Sequence, residues 1–187
     1  MREVAVVLAS GAPEGRVFNH QGQFKPRYSR RQELLAGAGF LLLCLGVGLS
    51  GVGVSALGVH GWYLSLRRPP LCPPLSLYPP VWTLLYLMAG AAAWEIWRAP
   101  GFRLLNRQAL IAWGWQIGLK ALWTPVFFGL HWLSGAAIFG LVLLAVLGET
   151  IRRFAGLKRW AAVLMLPYAA WVAFEVYLDI GFWWLNR

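Results

Sequence analysis

The sequence predicts an all-α integral membrane protein, a bundle of five transmembrane helices around an internal ligand cavity. Three observations predict this class. The 187 residues are 59% hydrophobic and only 13% charged, the apolar residues fall into five spans, and ionisable residues lie deep within two of those spans. A mean hydropathy of +0.57 does not suit a soluble domain of this size, because such a domain exposes much of its surface to water.

The chain divides into a short polar region and a longer apolar one. Residues 1–33 are polar and basic, and we interpret them as a mobile N-terminal tail preceding a five-helix domain at residues 34–187. A helix needs about 20 residues to cross a bilayer, and the fourth span is the shortest. The proline-rich segment at residues 61–79 cannot form a continuous helix. The spans are predicted at residues 34–59, 80–97, 109–130, 132–147 and 160–185.

The basic residues predict the orientation of this multi-pass chain. They cluster between apolar spans, as membrane topology signals do, so we expect membrane lipid and not nucleic acid as a partner. With alternating loops, thirteen bases share the side of the N-terminus and three lie on the other side, which predicts a cytoplasmic N-terminus and an outside C-terminus. The thirteen are Arg2, Arg16, Lys25, Arg27, Arg30, Arg31, Arg98, Arg103, Arg107, Arg152, Arg153, Lys158 and Arg159, and the three are Arg67, Arg68 and Arg187.

Large aromatic and ionisable side chains recur at helical spacing on three spans. Each set occupies one helix face. Such faces could be ordinary helix packing, but packed membrane helices favour small residues at their contacts. We therefore expect these faces to line a cavity. They are Trp82, Tyr86, Ala89, Ala93 and Trp97; Trp113, Gln116, Lys120, Trp123 and Phe127; and Tyr168, Trp171, Glu175, Asp179 and Phe182.

Lys120, Glu175 and Asp179 lie inside otherwise apolar spans. An ionisable group at the bilayer centre costs about 2.5–3.5 kcal/mol, and two acids one helical turn apart repel each other. Lys120 precedes Leu130 by ten residues and Glu175 precedes Leu185 by ten, so both should lie at the same depth. We expect a buried cluster of Lys120 with the two acids, facing the cavity. The alternative is that one or both acids are protonated and hydrogen-bonded.

Several motifs resemble one membrane-protein family. The motifs are "WYLSLRRPPLCPPLSLYPPVWTLLYLMAG", "LWTPVFFG" and "LPYAAWVAFEVYLD". From Gly39 to Asn186 the chain resembles, in order and spacing, the TspO/MBR family of translocator proteins, peripheral-type benzodiazepine receptors and tryptophan-rich sensory proteins. The resemblance implies five transmembrane helices around a pocket, often in a homodimer, and the binding of porphyrins or, in some members, sterols.

The resemblance implies a function and a site. The function is membrane binding and transport, or sensing, of a hydrophobic tetrapyrrole-like ligand such as a porphyrin or haem-like molecule, or of a sterol-like one. One alternative is an enzyme that degrades porphyrin photo-oxidatively with the pocket tryptophans Trp82 and Trp171. Another is a non-catalytic scaffold that binds partner proteins. No cofactor, catalytic residue or metal site is predicted. The predicted ligand-binding residues are Tyr63, Pro70, Trp82, Tyr86, Lys120, Trp123, Phe127, Tyr168, Trp171, Glu175 and Asp179.

Four positions depart from the family pattern. Lys120 and Asp179 stand where the family usually has asparagine, Glu175 where it has a small residue, and Leu71 where it has tryptophan. The three ionisable departures fall on the inward faces predicted above and compensate one another in charge.

Overall fold

The computed structural model describes residues 28–99 and 103–187. These residues form five long helices and no strand. Four of the helices, α1, α2, α4 and α5, are long and apolar enough to cross a membrane. With 22 residues α3 is also long enough, but Lys120 and Gln116 make it less apolar. The all-α membrane class is thus confirmed. The helices are α1 Arg30–Gly58, α2 Tyr78–Trp97, α3 Arg103–Thr124, α4 Leu133–Leu157 and α5 Arg159–Leu185.

The first helix begins at Arg30, four residues before the predicted start of the first span. Ser29 and Gln32 form a reciprocal cap: the Ser29 N–H donates to Gln32 Oε1 at 2.9 Å, and the Gln32 N–H donates to Ser29 Oγ at 3.3 Å. This capping box satisfies backbone donors that have no partner inside the helix. The last residues of the predicted tail therefore belong to α1, whereas residues 1–27 of that tail lie outside the described residues.

The fourth helix is longer than predicted: it continues to Leu157, whereas the predicted span ends at residue 147. Glu149 accepts hydrogen bonds of 2.7 Å from the guanidinium groups of Arg152 and Arg153 on the same helix. Ion pairs three and four residues apart stabilise a helix, so the polar continuation stays helical. The apolar span marked only part of the helix.

The proline-rich segment between α1 and α2 is not a continuous helix, as predicted. It contains a π-helical turn at Val59–Tyr63 and a 3-10 turn at Leu75–Leu77. Prolines then occupy the first turn of α2, where a helix does not need their missing N–H groups.

The same segment is fastened to the end of α5. The Arg67 N–H donates to Asn186 Oδ1 at 2.8 Å, and Asn186 Nδ2 donates to the Arg67 carbonyl at 3.0 Å. The Tyr177 hydroxyl donates to the Pro70 carbonyl at 3.0 Å. These bonds hold the segment across one end of the bundle and keep Tyr63 in place above the cavity.

The predicted basic clusters meet at the opposite end of the bundle. Glu95, near the end of α2, forms ion pairs with Arg98 and with Lys158 at the junction of α4 and α5. Tyr28, just before α1, stacks on Trp97 with ring centroids 3.9 Å apart. The start of α1, the end of α2 and the α4–α5 junction therefore share one end.

We propose that this basic end faces the cytoplasm, as the positive-inside rule predicts. A green fluorescent protein fused after Lys158 should fluoresce, and an alkaline phosphatase fused after Arg187 should be active. Exchanging the two reporters between these positions should abolish both signals. The reverse pattern would show that the bias of basic residues does not set the orientation of this chain.

Candidate functional site

A cavity of about 390 Å³ lies among α1, α2, α3 and α5. Small-molecule sites in proteins typically measure roughly 300–1,000 Å³. Aromatic and apolar side chains form most of its wall, and the segment between α1 and α2 contributes Tyr63 and Leu75. Eight of the predicted ligand-binding residues line it: Tyr63, Trp82, Tyr86, Lys120, Trp123, Phe127, Glu175 and Asp179.

The other three predicted residues do not line this cavity, and their part in ligand binding stays a prediction. Pro70 lies in a groove on the outer face of α5, because the segment that carries it crosses that face. Tyr168 is fully buried in the core, and its ring meets the Trp82 ring edge to face at 5.7 Å. Trp171 packs edge to face on Tyr78, with centroids 6.1 Å apart. Tyr168 and Trp171 therefore do not form the cavity wall but pack against two residues that do, Trp82 and Tyr78.

Lys120 and Glu175 form a buried ion pair, as predicted from their matched depth. Lys120 Nζ lies 2.8 Å from Glu175 Oε2, and the two residues are 4% and 7% exposed. Trp82 Nε1 donates to the other carboxylate oxygen at 3.0 Å, and Trp171 Nε1 donates to it at 3.3 Å. A charge inside a membrane must be paired and hydrogen-bonded, so Glu175 fixes α2, α3 and α5 relative to one another.

Two indole rings cover the ammonium group of Lys120. Its Nζ atom lies 3.8 Å from the ring centroid of Trp82 and 4.2 Å from that of Trp123. A cation over an indole face is attracted by the electron density of the ring, and the attraction is strongest where water is excluded. This attraction restricts the orientation of the two indole rings in the cavity wall.

Asp179 takes a different partner from the one predicted. It is 3% exposed and accepts a hydrogen bond of 2.9 Å from Trp123 Nε1. Among the described residues, no ion pair joins it to Lys120. The predicted three-residue cluster is therefore one ion pair beside a carboxyl group that an indole N–H holds in place.

Aromatic rings continue from this polar group toward the segment between α1 and α2. Trp123 stacks on Phe127 with centroids 5.1 Å apart. Phe127 meets Phe182 edge to face at 5.8 Å, and Tyr63 lies 5.5 Å from Phe182. The cavity thus has a charged patch at one part of its wall and a ring-lined apolar part beside it.

The first helix, α1, also contributes to the wall, which the sequence pattern was not taken to predict. Gly48 and Gly51 line the cavity together with Ser55, and a spacing of three and four residues places them on one helix face. This spacing of small residues is the feature of the sequence from which the contribution of α1 could have been predicted. Leu49 and Val52 also line the cavity but are 73% and 53% exposed, so the cavity opens sideways along α1.

The fold and this site define a class: a helical membrane protein with an aromatic pocket between its helices. A model of the TspO/MBR family matches residues 40–185, and the chain belongs to that family. Membership places it among membrane proteins with sensory or ligand-binding roles.

Three relatives illustrate the similarity. The translocator protein of Sus scrofa is 34% identical over 157 residues, which are 82% of this chain and 91% of the relative. The tryptophan-rich protein TspO of Archaeoglobus fulgidus is 32% identical over 147 residues, or 78% and 94% of the two chains. Protein CrtK of Rhodobacter capsulatus is 33% identical over 128 residues, or 67% and 78%.

The close approach of α1 predicts a position-specific effect of adding one methyl group. A Cβ atom at Gly48 would lie 2.9 Å from the ring of the buried Tyr86, so Gly48→Ala should destabilise the protein by about 1–3 kcal/mol. Gly46→Ala is the matched control, because nothing lies within 4 Å of its Cβ position. Thermal unfolding in detergent measures both. Equal stability of the two variants would contradict the contact between α1 and α2.

The buried ion pair predicts that losing one partner is worse than losing both. Lys120→Met keeps the aliphatic stem between the indoles but leaves Glu175 unpaired, and breaking a buried pair in this way costs about 3–5 kcal/mol. The double variant Lys120→Met/Glu175→Gln should recover most of that loss, because no unpaired charge remains. Arg152→Met, at an exposed pair, should have little effect. A single Lys120→Met variant as stable as the wild type would show that Glu175 is protonated.

Proposed function

We propose that the chain binds a hydrophobic ring-shaped molecule, tetrapyrrole-like or sterol-like, and acts in its transport or sensing. The observation that carries this proposal is the cavity of about 390 Å³ walled by aromatic side chains. Relatives are named translocator protein in Homo sapiens and tryptophan-rich sensory protein in Cereibacter sphaeroides, and these names support the same reading. The homodimer implied by the family resemblance is part of this proposal.

The geometry of the aromatic wall suits a flat, rigid ligand. The Trp123 and Phe127 rings stack on each other with their planes 19° apart, so they form a rigid aromatic unit in the wall, and a planar ring system can pack against the edge of such a unit. The exposed lining residues Leu49 and Val52 of α1 lie where the protein meets lipid. A ligand dissolved in the bilayer could enter there without crossing water.

The cavity itself favours ligand binding over a scaffold. A scaffold acting only through partner proteins would need no internal cavity, whereas about 390 Å³ lies between these helices.

The proposal predicts saturable binding of octaethylporphyrin, a porphyrin without carboxylates, or of a fluorescent sterol to the purified chain. Trp123→Phe should weaken binding about threefold to tenfold, because part of the aromatic contact area and the hydrogen bond that positions Asp179 are lost. Trp184→Phe is the control, since Trp184 is 58% exposed and lies outside the cavity wall. Absorbance and fluorescence titration in detergent gives the dissociation constants.

Each alternative function has its own outcome in that experiment. Loss of porphyrin under light that requires Trp82 would favour the degrading enzyme over the binding protein. Failure of both the porphyrin and the sterol to bind would favour the scaffold. Equal weakening by Trp123→Phe and Trp184→Phe would place the ligand outside this cavity.

A further inference from the structure

The cavity wall carries an uneven set of charges. Its lining residues of the acidic and basic types are one base, Lys120, and two acids, Glu175 and Asp179. All three are more than nine-tenths buried. The described wall therefore holds one more acidic side chain than basic ones. Water does little to screen a charge at these buried positions.

Lys120 has no free face for an anionic ligand. Its ammonium donates to Glu175 Oε2 at 2.8 Å, and the rings of Trp82 and Trp123 lie 3.8 Å and 4.2 Å away. A carboxylate on a ligand would have to displace Glu175 from this position. That exchange leaves Glu175 buried without its cation, which is strongly unfavourable.

Asp179 is the acid that remains. Its one described hydrogen bond comes from Trp123 Nε1, at 2.9 Å to Oδ2. A carboxylate can accept at about four lone-pair positions, so its second oxygen retains the capacity to accept. Asp179 lies on the cavity wall one helical turn from Glu175. A positive group placed beside it would supply the cationic partner that a buried carboxylate needs.

The rings around Asp179 are also suited to a cation. Phe127 and Phe182 line the cavity together with Asp179, and aromatic rings attract a desolvated ammonium group. The guanidinium of Arg68 lies 5.7 Å from the Tyr63 ring centroid. Arg68 is exposed and is not part of the cavity wall, so solvent screens its charge from this site.

We propose that this pocket selects a hydrophobic cation, a ring-shaped ligand with a protonated amine whose ammonium group binds Asp179. The proposal rests on the proposed function, because it assigns the charge of the ligand that the same cavity would hold. A ligand carboxylate at this position would lie beside two acidic side chains, Asp179 and Glu175, and the one base of the described wall, Lys120, is already paired, so the loss of its hydration would not be compensated.

Three probes with one ring skeleton test this charge preference. Dehydroabietylamine, dehydroabietol and dehydroabietic acid share a rigid tricyclic skeleton and differ only in carrying an amine, an alcohol or a carboxylic acid. Titration of the full chain in an uncharged detergent, followed by tryptophan fluorescence, should rank the amine first and the acid last. We expect the amine to bind at least about tenfold more tightly than the acid, because a close buried charge pair distinguishes them.

Two variants connect the preference to Asp179. Asp179→Asn retains an oxygen for the Trp123 N–H but removes the charge, so it should weaken amine binding about tenfold and leave alcohol binding within about twofold. Glu149→Gln removes a carboxylate outside the cavity, in the exposed pair with Arg152, and should change none of the three affinities.

The possible results separate this inference from the proposed function. Equal binding of the three probes, or tighter binding of the acid, would overturn the inference while the pocket still binds a hydrophobic ring. The same weakening of all three probes by Asp179→Asn would also overturn it, because Asp179 would then act only in the fold. Failure of every probe to bind the wild type would overturn the inference, whereas the proposed function would fall only if the porphyrin and the sterol also failed to bind.

Discussion

The ion pair between Lys120 and Glu175 is the constraint on which the rest of the site depends. Inside a membrane neither charge is tolerated without its partner, and the Nζ–Oε2 distance of 2.8 Å fixes α3 against α5. The Trp82 indole N–H bound to Glu175 adds α2 to the same point. The ammonium also contacts the ring faces of Trp82 and Trp123. These contacts restrict the orientation of the two indole rings in the cavity wall.

The first helix completes the cavity by a different kind of contact. Small residues let it approach: a Cβ atom at Gly48 would lie 2.9 Å from Tyr86, and one at Gly90 would lie 3.1 Å from the carbonyl oxygen of Phe40. Among the described residues, no side-chain ion pair joins α1 to another helix. The bundle thus combines a polar junction of α2, α3 and α5 with an apolar seam along α1, and the cavity lies between them.

Hydropathy predicted the helices, but local side-chain chemistry set their ends. The cap formed by Ser29 and Gln32 and the pairs made by Glu149 extend α1 and α4 beyond the apolar spans. Matched depth predicted the pair of Lys120 with Glu175, because helical rise is regular. The partner of Asp179 could not be predicted in this way, since helical spacing does not give the direction of the Trp123 indole. Tyr168 shares the predicted face but lies in the packed core.

Infrared difference spectroscopy of the wild type against Glu175→Gln tests the central claim most directly, because it reports the charge state of one carboxyl group. The ion pair with Lys120 predicts that the substitution removes the stretching bands of an ionised carboxylate. Loss of the carbonyl band of a protonated carboxylic acid would contradict the account, because Glu175 would then be neutral and Lys120 would lack its counter-ion.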